Sequence, residues 1–289
     1  MYFVKDIRIV FAVWNFTLAS TTRSEDSASP TILGIWHVGN QIHRSASARV
    51  HLAQPADAMD SPRWDYVIKY SDTNVDPAAS LRQIVQSASV CDQVSHPNLV
   101  AVLDTSGSGT FPYLVMPRLT GASLQEKMRT ETLALPVAFW LARQAAQALD
   151  ALHRCGWVHG DINPSNIIVG ERGHVTLIDM SRATQVNRIN SSAVRGSAKF
   201  AAPESLQPET AAQSASDVFS LGRVLWGMLT TVAVAHESML APAAELIEQM
   251  VCENPSSRPT ASGVAEALYK QEMATLGTHF QPIQSRRAA

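Results

Sequence analysis

The chain has 289 residues, 46% of them hydrophobic, enough to bury one large core or two lobes of ordinary size. Its net charge of −2 gives no electrostatic case for nucleic acid or an anionic membrane as a partner. Cys91, Cys155 and Cys252 are far apart and form no CxxC pair, which argues against a disulfide framework or zinc site and for a reducing cytoplasm, and no run of about 20 apolar residues is present to span a membrane.

Residues 1–31 read as an N-terminal extension and linker. Residues 9–19 are apolar and aromatic behind Lys5 and Arg8, faintly like a secretory leader, but Asp6 and Asn15 are out of place in one. Residues 21–30 are polar and rich in serine and threonine, as a linker is. From 32 to 116 the pattern predicts short strands at 35–38, 48–53 and 66–70, with a proline- and aspartate-containing loop at 54–63. A helix is predicted over 78–94, where Leu81, Ile84, Val85, Ala88 and Cys91 recur on one face. Pro97 disfavours helical geometry at His96 and ends it. Strand-like stretches follow at 99–103 and 113–116.

After Pro117 the pattern turns helical, with helices predicted over 136–155, 214–230, 241–251 and 261–275, and a tail at 276–289. Pro136 suits the first turn of its helix. The expected class is α+β: a small β-rich N-lobe over 32–116 and a larger helical C-lobe over 117–275.

Two carboxylates and a carboxamide punctuate the short connections of His159-Gly160-Asp161-Ile162-Asn163-Pro164-Ser165-Asn166-Ile167-Ile168 and Val175-Thr176-Leu177-Ile178-Asp179-Met180-Ser181. Each alone would be an N-cap or turn residue by default. Together they are the set needed to move a phosphoryl group: one carboxylate orients the attacking hydroxyl and accepts its proton, while the amide and second carboxylate hold magnesium. The passage resembles the catalytic loop and metal motif of the protein kinase family. The likeness runs from about residue 35 to about 268. It takes in the strand lysine of Tyr66-Val67-Ile68-Lys69, the His96-Pro97-Asn98 turn, a hinge-like Leu114-Val115-Met116-Pro117-Arg118, Ala202-Pro203-Glu204, Asp217 and Arg258.

The resemblance implies ATP and Mg2+ as cofactors, Asp161 as catalytic base, and Asn166 and Asp179 as metal ligands. It implies a nucleotide site formed by Lys69, Val50, Val67, Met116, Arg118 and Ile168, with backbone groups of residues 116–118 bonding adenine. Glu204 with Arg258, and Asp217 beneath the catalytic loop, are implied structural braces. A protein substrate or a regulatory protein is the implied partner.

The departures from the family pattern are as specific. His43, Ser45 and Ala48 stand where three glycines are usual in the phosphate-covering loop, with Val50 and Ala53 retained. Side chains there restrict close backbone approach to phosphate. The first-lobe helix should carry glutamate at Gln86 or Ser87, yet no carboxylate occurs between Asp76 and Asp92, which leaves Asp179 as another partner for Lys69. Met180 and Ser181 replace phenylalanine and glycine. Asn163 replaces lysine, removing a cation beside the transferred phosphate, and Gly160 replaces the arginine that would receive a phosphate on Ser191 or Ser192. Residues 230–244 are short for the helix and docking loops the family places there. Three readings follow: a serine/threonine kinase with a weakened clamp, a pseudokinase scaffold, and a small-molecule phosphotransferase. The four retained polar groups and Ser197 favour the first.

Overall fold

The structure is a computed structural model, in which residues 31–45, 48–58, 61–71, 77–106, 111–189, 198–207, 209–232 and 239–279 are described. The leader-like stretch and linker, Ser191, Ser192 and Ser197, and the tail beyond 279 lie outside them.

Strands β1 (Ile32–Leu33), β2 (Trp36–Arg44), β3 (Ala48–Pro55), β4 (Tyr66–Ser71), β5 (Asp104–Ser106) and β6 (Tyr113–Pro117) form one antiparallel sheet in the order β1-β2-β3-β4-β6-β5. Alternation sorts their side chains onto two faces. Ala53, Ile68, Tyr70, Tyr113 and Val115 join Trp36 and Val38 in an apolar cluster on one face. The opposite face carries the row Val50–Lys69–Leu114, in register across β3, β4 and β6. Helix α1 (Pro77–Gln93) follows β4.

Several sequence expectations shift here. β2 runs on to Arg44, well past the strand expected to end at Val38, because its far half pairs with β3 through a register broken at Gln41 and His43. The 99–103 stretch is not a sheet strand. Leu99 makes one parallel bridge to Leu177, and Val100 donates its N–H to the Leu177 carbonyl at 2.9 Å, tying this segment to the second lobe.

The second lobe begins with β7 (Ala122–Ser123) and α2 (Leu124–Thr130), then α3 (Leu135–Arg154) and β8 (Trp157–Val158). Gly121 has φ +119°, and a Cβ there would fall 2.1 Å from the Val169 carbonyl, so only glycine lets the chain leaving β6 lie this close to the next sheet. That sheet joins β7 to β9 (Ile167–Val169) and β10 (Val175–Leu177), while β11 (Thr184–Gln185) pairs with β8. Helices α4 (Ser214–Leu229), α5 (Ala241–Met250) and α6 (Ala261–His279) complete the lobe. α6 extends into the segment expected as tail.

Helix α3 is the spine of this lobe. Ala138, Phe139, Ala142, Ala146, Leu149 and Leu152 are buried, and its small alanines let neighbouring helices approach closely. Arg143 clasps Glu272 of α6 at 2.7 Å. Met180, buried to 2%, joins the same core, where burying a side chain of that size contributes roughly 1.5–3 kcal/mol. Among the described residues no helix is long and apolar enough to cross a membrane.

Candidate active site

A cavity of about 400 Å3 opens between the sheet and the second lobe, with Val50, Lys69, Leu114, Met116, Asn166 and Asp179 on its wall. The row His43–Val50–Lys69–Leu114 supplies its roof, since residues paired across antiparallel strands project to one side. Val67 lies one pleat along, paired with Met116, and is buried instead of lining the space. Ile168 is likewise buried in β9. Arg118 turns away: its N–H donates to the Asp65 carbonyl at 2.9 Å and its guanidinium to the Trp64 carbonyl at 3.1 Å. Pro117 and Leu119 face the cavity on either side of it. Leu119 was not singled out from the sequence, because alternation from Leu114 and Met116 points to Arg118 and is broken at Pro117.

Lys69 Nζ donates to Asp179 Oδ1 at 2.7 Å. Of the two positions aligned with the absent glutamate, Ser87 lines the cavity, and its hydroxyl is spent on the Gln83 carbonyl at 2.8 Å. Lys69 has therefore taken the remaining carboxylate as partner. Partial burial pushes the Asp179 carboxyl upward, but the Lys69 ammonium and bonds from Ser181 outweigh this and hold it well below the usual carboxylate range. Asp179 sits in the left-handed region, φ 67° and ψ 75°, and caps the turn Met180–Arg182 through the Ser181 N–H at 3.2 Å. His43 reaches into the cavity from β2. Burial and the Lys69 charge lower its pKa, with Asp179 pulling the other way.

The catalytic loop hangs from Asp217. This carboxylate, 1% exposed on α4, accepts the N–H groups of His159 at 2.8 Å and Gly160 at 2.9 Å, and faces His153 Nε2 at 2.9 Å. Burial would raise its pKa, but His153 and these bonds lower it. His159 Nδ1 accepts the Asp161 N–H at 3.3 Å, so its Nε2 carries the proton donated to the Ile178 carbonyl at 3.2 Å. The 159–161 loop and the Ile178–Asp179 segment are thereby fastened together.

Asp161 is not on the cavity wall and joins it through Asn166, which is. Asn163 Nδ2 donates to its Oδ1 at 3.1 Å, Asn166 Nδ2 to its Oδ2 at 3.3 Å, and Arg182 Nε lies 3.7 Å from Oδ2. Arg182 escaped the sequence reading because no kinase motif marks its position. With the Asn166 nitrogen spent on Asp161, its amide oxygen is left for a hard cation. Together with the Asp179 carboxylate, that is an oxygen donor set of the kind Mg2+ takes. Cys91 also borders the cavity, but burial pushes its thiol up to about 11, which keeps it protonated and unreactive.

Behind the site, Arg258 is fully buried and grips Glu204 with two bonds of 2.6 and 2.9 Å. Residues 56–239 match the protein kinase domain family. The chain belongs to the protein kinase family. It is 30% identical over 212 residues to the serine/threonine-protein kinase PknB of Mycobacterium leprae, covering 70% of this chain and 33% of that protein. It is 33% identical over 207 residues to PknB of Mycolicibacterium smegmatis, covering 68% and 32%. It is 27% identical over 216 residues to a probable serine/threonine-protein kinase, pknA2, of Bifidobacterium longum, covering 72% and 28%. The chain thus spans about a third of the length of these relatives.

Proposed function

We propose that this kinase domain transfers the terminal phosphoryl group of ATP to serine or threonine hydroxyls of a protein. The observation that carries the reading is the convergence of Lys69, Asn166 and Asp179 on one cavity, with Asp161 hydrogen-bonded to Asn166 beside it. Asp161 orients the acceptor hydroxyl and takes its proton as the new P–O bond forms and ADP leaves. Asn166 and Asp179 would hold Mg2+, which would neutralise charge on the phosphates. Lys69, on the same cavity wall, would contact the nucleotide phosphates. Val50, Leu114 and Met116 enclose the base, with Val67 and Ile168 packed behind them, and the backbone around Pro117 and Leu119 supplies its polar contacts.

The kinase relatives and the Glu204–Arg258 pair favour a protein acceptor over a small-molecule one. The unpaired cysteines are in keeping with a reducing cytoplasm. The test is transfer of labelled phosphate from ATP to a mixed protein substrate. Asp161→Asn should abolish most transfer while leaving ATP affinity nearly unchanged. Near wild-type turnover in that variant removes Asp161 from the mechanism. The Lys69–Asp179 pair supports a second reading, a scaffold that binds ATP without turnover, and bound ATP with no transfer to any protein would select it.

A further inference from the structure

We propose that Arg182 is a catalytic residue of this site and that its guanidinium binds the γ-phosphate of ATP. This rests on the kinase reading above and adds to it a group outside the family motifs.

Asp161 marks where the acceptor hydroxyl arrives, so a cation within reach of its carboxylate is also within reach of the phosphoryl group in transit. Gly160 and Asn163 give the loop no cation there. Among the described residues two lysine or arginine side chains line the cavity itself, Lys69 and Arg129, and each is held by a carboxylate at 2.7 Å, Asp179 and Glu126 respectively. Arg182 stands outside its wall, next to Asp161. Arg182 is engaged differently. Its Nε stands 3.7 Å from Asp161 Oδ2, its side chain is 46% exposed, and its planar fork has further N–H donors to offer a phosphate.

The backbone has been shaped to bring it there. Asp179 in the left-handed region turns the chain sharply, and the Met180–Arg182 turn then runs back toward the catalytic loop. Gly160 has φ +75°, and a Cβ at that position would meet the Arg182 carbonyl at 2.9 Å. The short residue makes room for the turn whose arginine supplies the missing charge.

The experiment uses calorimetry on the full chain with ATP and with ADP, each with Mg2+. For Arg182→Gln we expect ATP affinity to fall about tenfold or more, as for a lost charge-assisted hydrogen bond, with ADP affinity unchanged. Arg182→Lys should restore part of the preference for ATP. Equal losses for both nucleotides, or no loss for either, overturn the proposal. So does a wild-type chain that binds neither nucleotide, which defeats the nucleotide site as well. A wild-type chain that binds ATP yet transfers no phosphate defeats the assigned activity alone, and the ATP-to-ADP comparison then still decides the role of Arg182.

Discussion

Lys69 and Asp179 neutralise each other across 2.7 Å, and this changes what each has left to give. A lysine held by a carboxylate on the first-lobe helix would leave Asp179 free for metal. Here a cation entering the site must compete with Lys69 for the same carboxylate. Ser87 faces the cavity at the right place to relieve this. We expect Ser87→Glu to draw Lys69 away and increase the gain in ATP affinity that Mg2+ brings, on the order of fivefold, or about 1 kcal/mol. Titrations with and without the metal read this directly, and an unchanged gain would mean that Lys69 stays on Asp179. Gly160 is the second residue whose identity is forced. Gly160→Ala should lower stability by about 1–2 kcal/mol from the left-handed strain, and further through the contact with the Arg182 carbonyl. Gly156 provides the control: it has φ +76° with nothing within 4 Å of a built Cβ, so Gly156→Ala carries the strain alone. Thermal unfolding should place Gly160→Ala below Gly156→Ala.

At the scale of elements, the Glu204–Arg258 pair joins three segments. Arg258 also donates to the carbonyls of Ala215 at 3.0 Å and Cys252 at 2.7 Å, and Ser216 donates to Glu204 at 2.8 Å. The pair thus pins the turn Pro203–Leu206 against the start of α4 and the end of α5. Arg258→Ala leaves Glu204 without its counter-charge and should cost about 3–5 kcal/mol, whereas Glu204→Gln with Arg258→Met should recover much of that. A single variant as stable as wild type would show that the pair does not hold these segments. The sequence disclosed this pair, and the placing of Lys69, Asn166 and Asp179 on one cavity, because each lies in a short motif whose spacing survives without tertiary information. Other elements depended on partners distant in sequence. The far half of β2 exists because β3 pairs with it, and the 99–103 stretch failed as a strand because its bonds are split, Val100 donating to Leu177 of β10 and Leu103 to Val115 of β6. Helix α2 was missed despite a local sign. Ser123 caps it by accepting the Glu126 N–H at 3.2 Å, and serine followed by glutamate three residues on is a helix-start pattern. Arg182 had no such sign, since its position follows from the left-handed backbone of Asp179.

For the whole molecule, the joining of the lobes and the bracing of the catalytic loop rest on carboxylates that must stay ionised. Asp179 links Lys69 of the first lobe to the turn Met180–Arg182, Asp217 suspends the His159–Asp161 loop from α4, and Glu204 holds Arg258. Burial opposes ionisation at all three. Lys69, His153 and Arg258 overcome it, so each native pKa lies below its ordinary value of 3.8 for aspartate or 4.5 for glutamate. A depressed native pKa means that the unfolded chain binds protons first as pH falls. The stability these groups contribute is complete above their ordinary values and is lost as pH drops through the native ones. We therefore expect the unfolding temperature, as far as these carboxylates set it, to hold between pH 7 and about 5 and to fall steeply below about 4. The double variant Glu204→Gln, Arg258→Met should show a shallower fall, because one of the three linked protonations has been removed. Following unfolding by circular dichroism across this range tests both parts. An unfolding temperature that rises on acidification, or a double variant with the wild-type slope, would mean that other groups govern the acid limit.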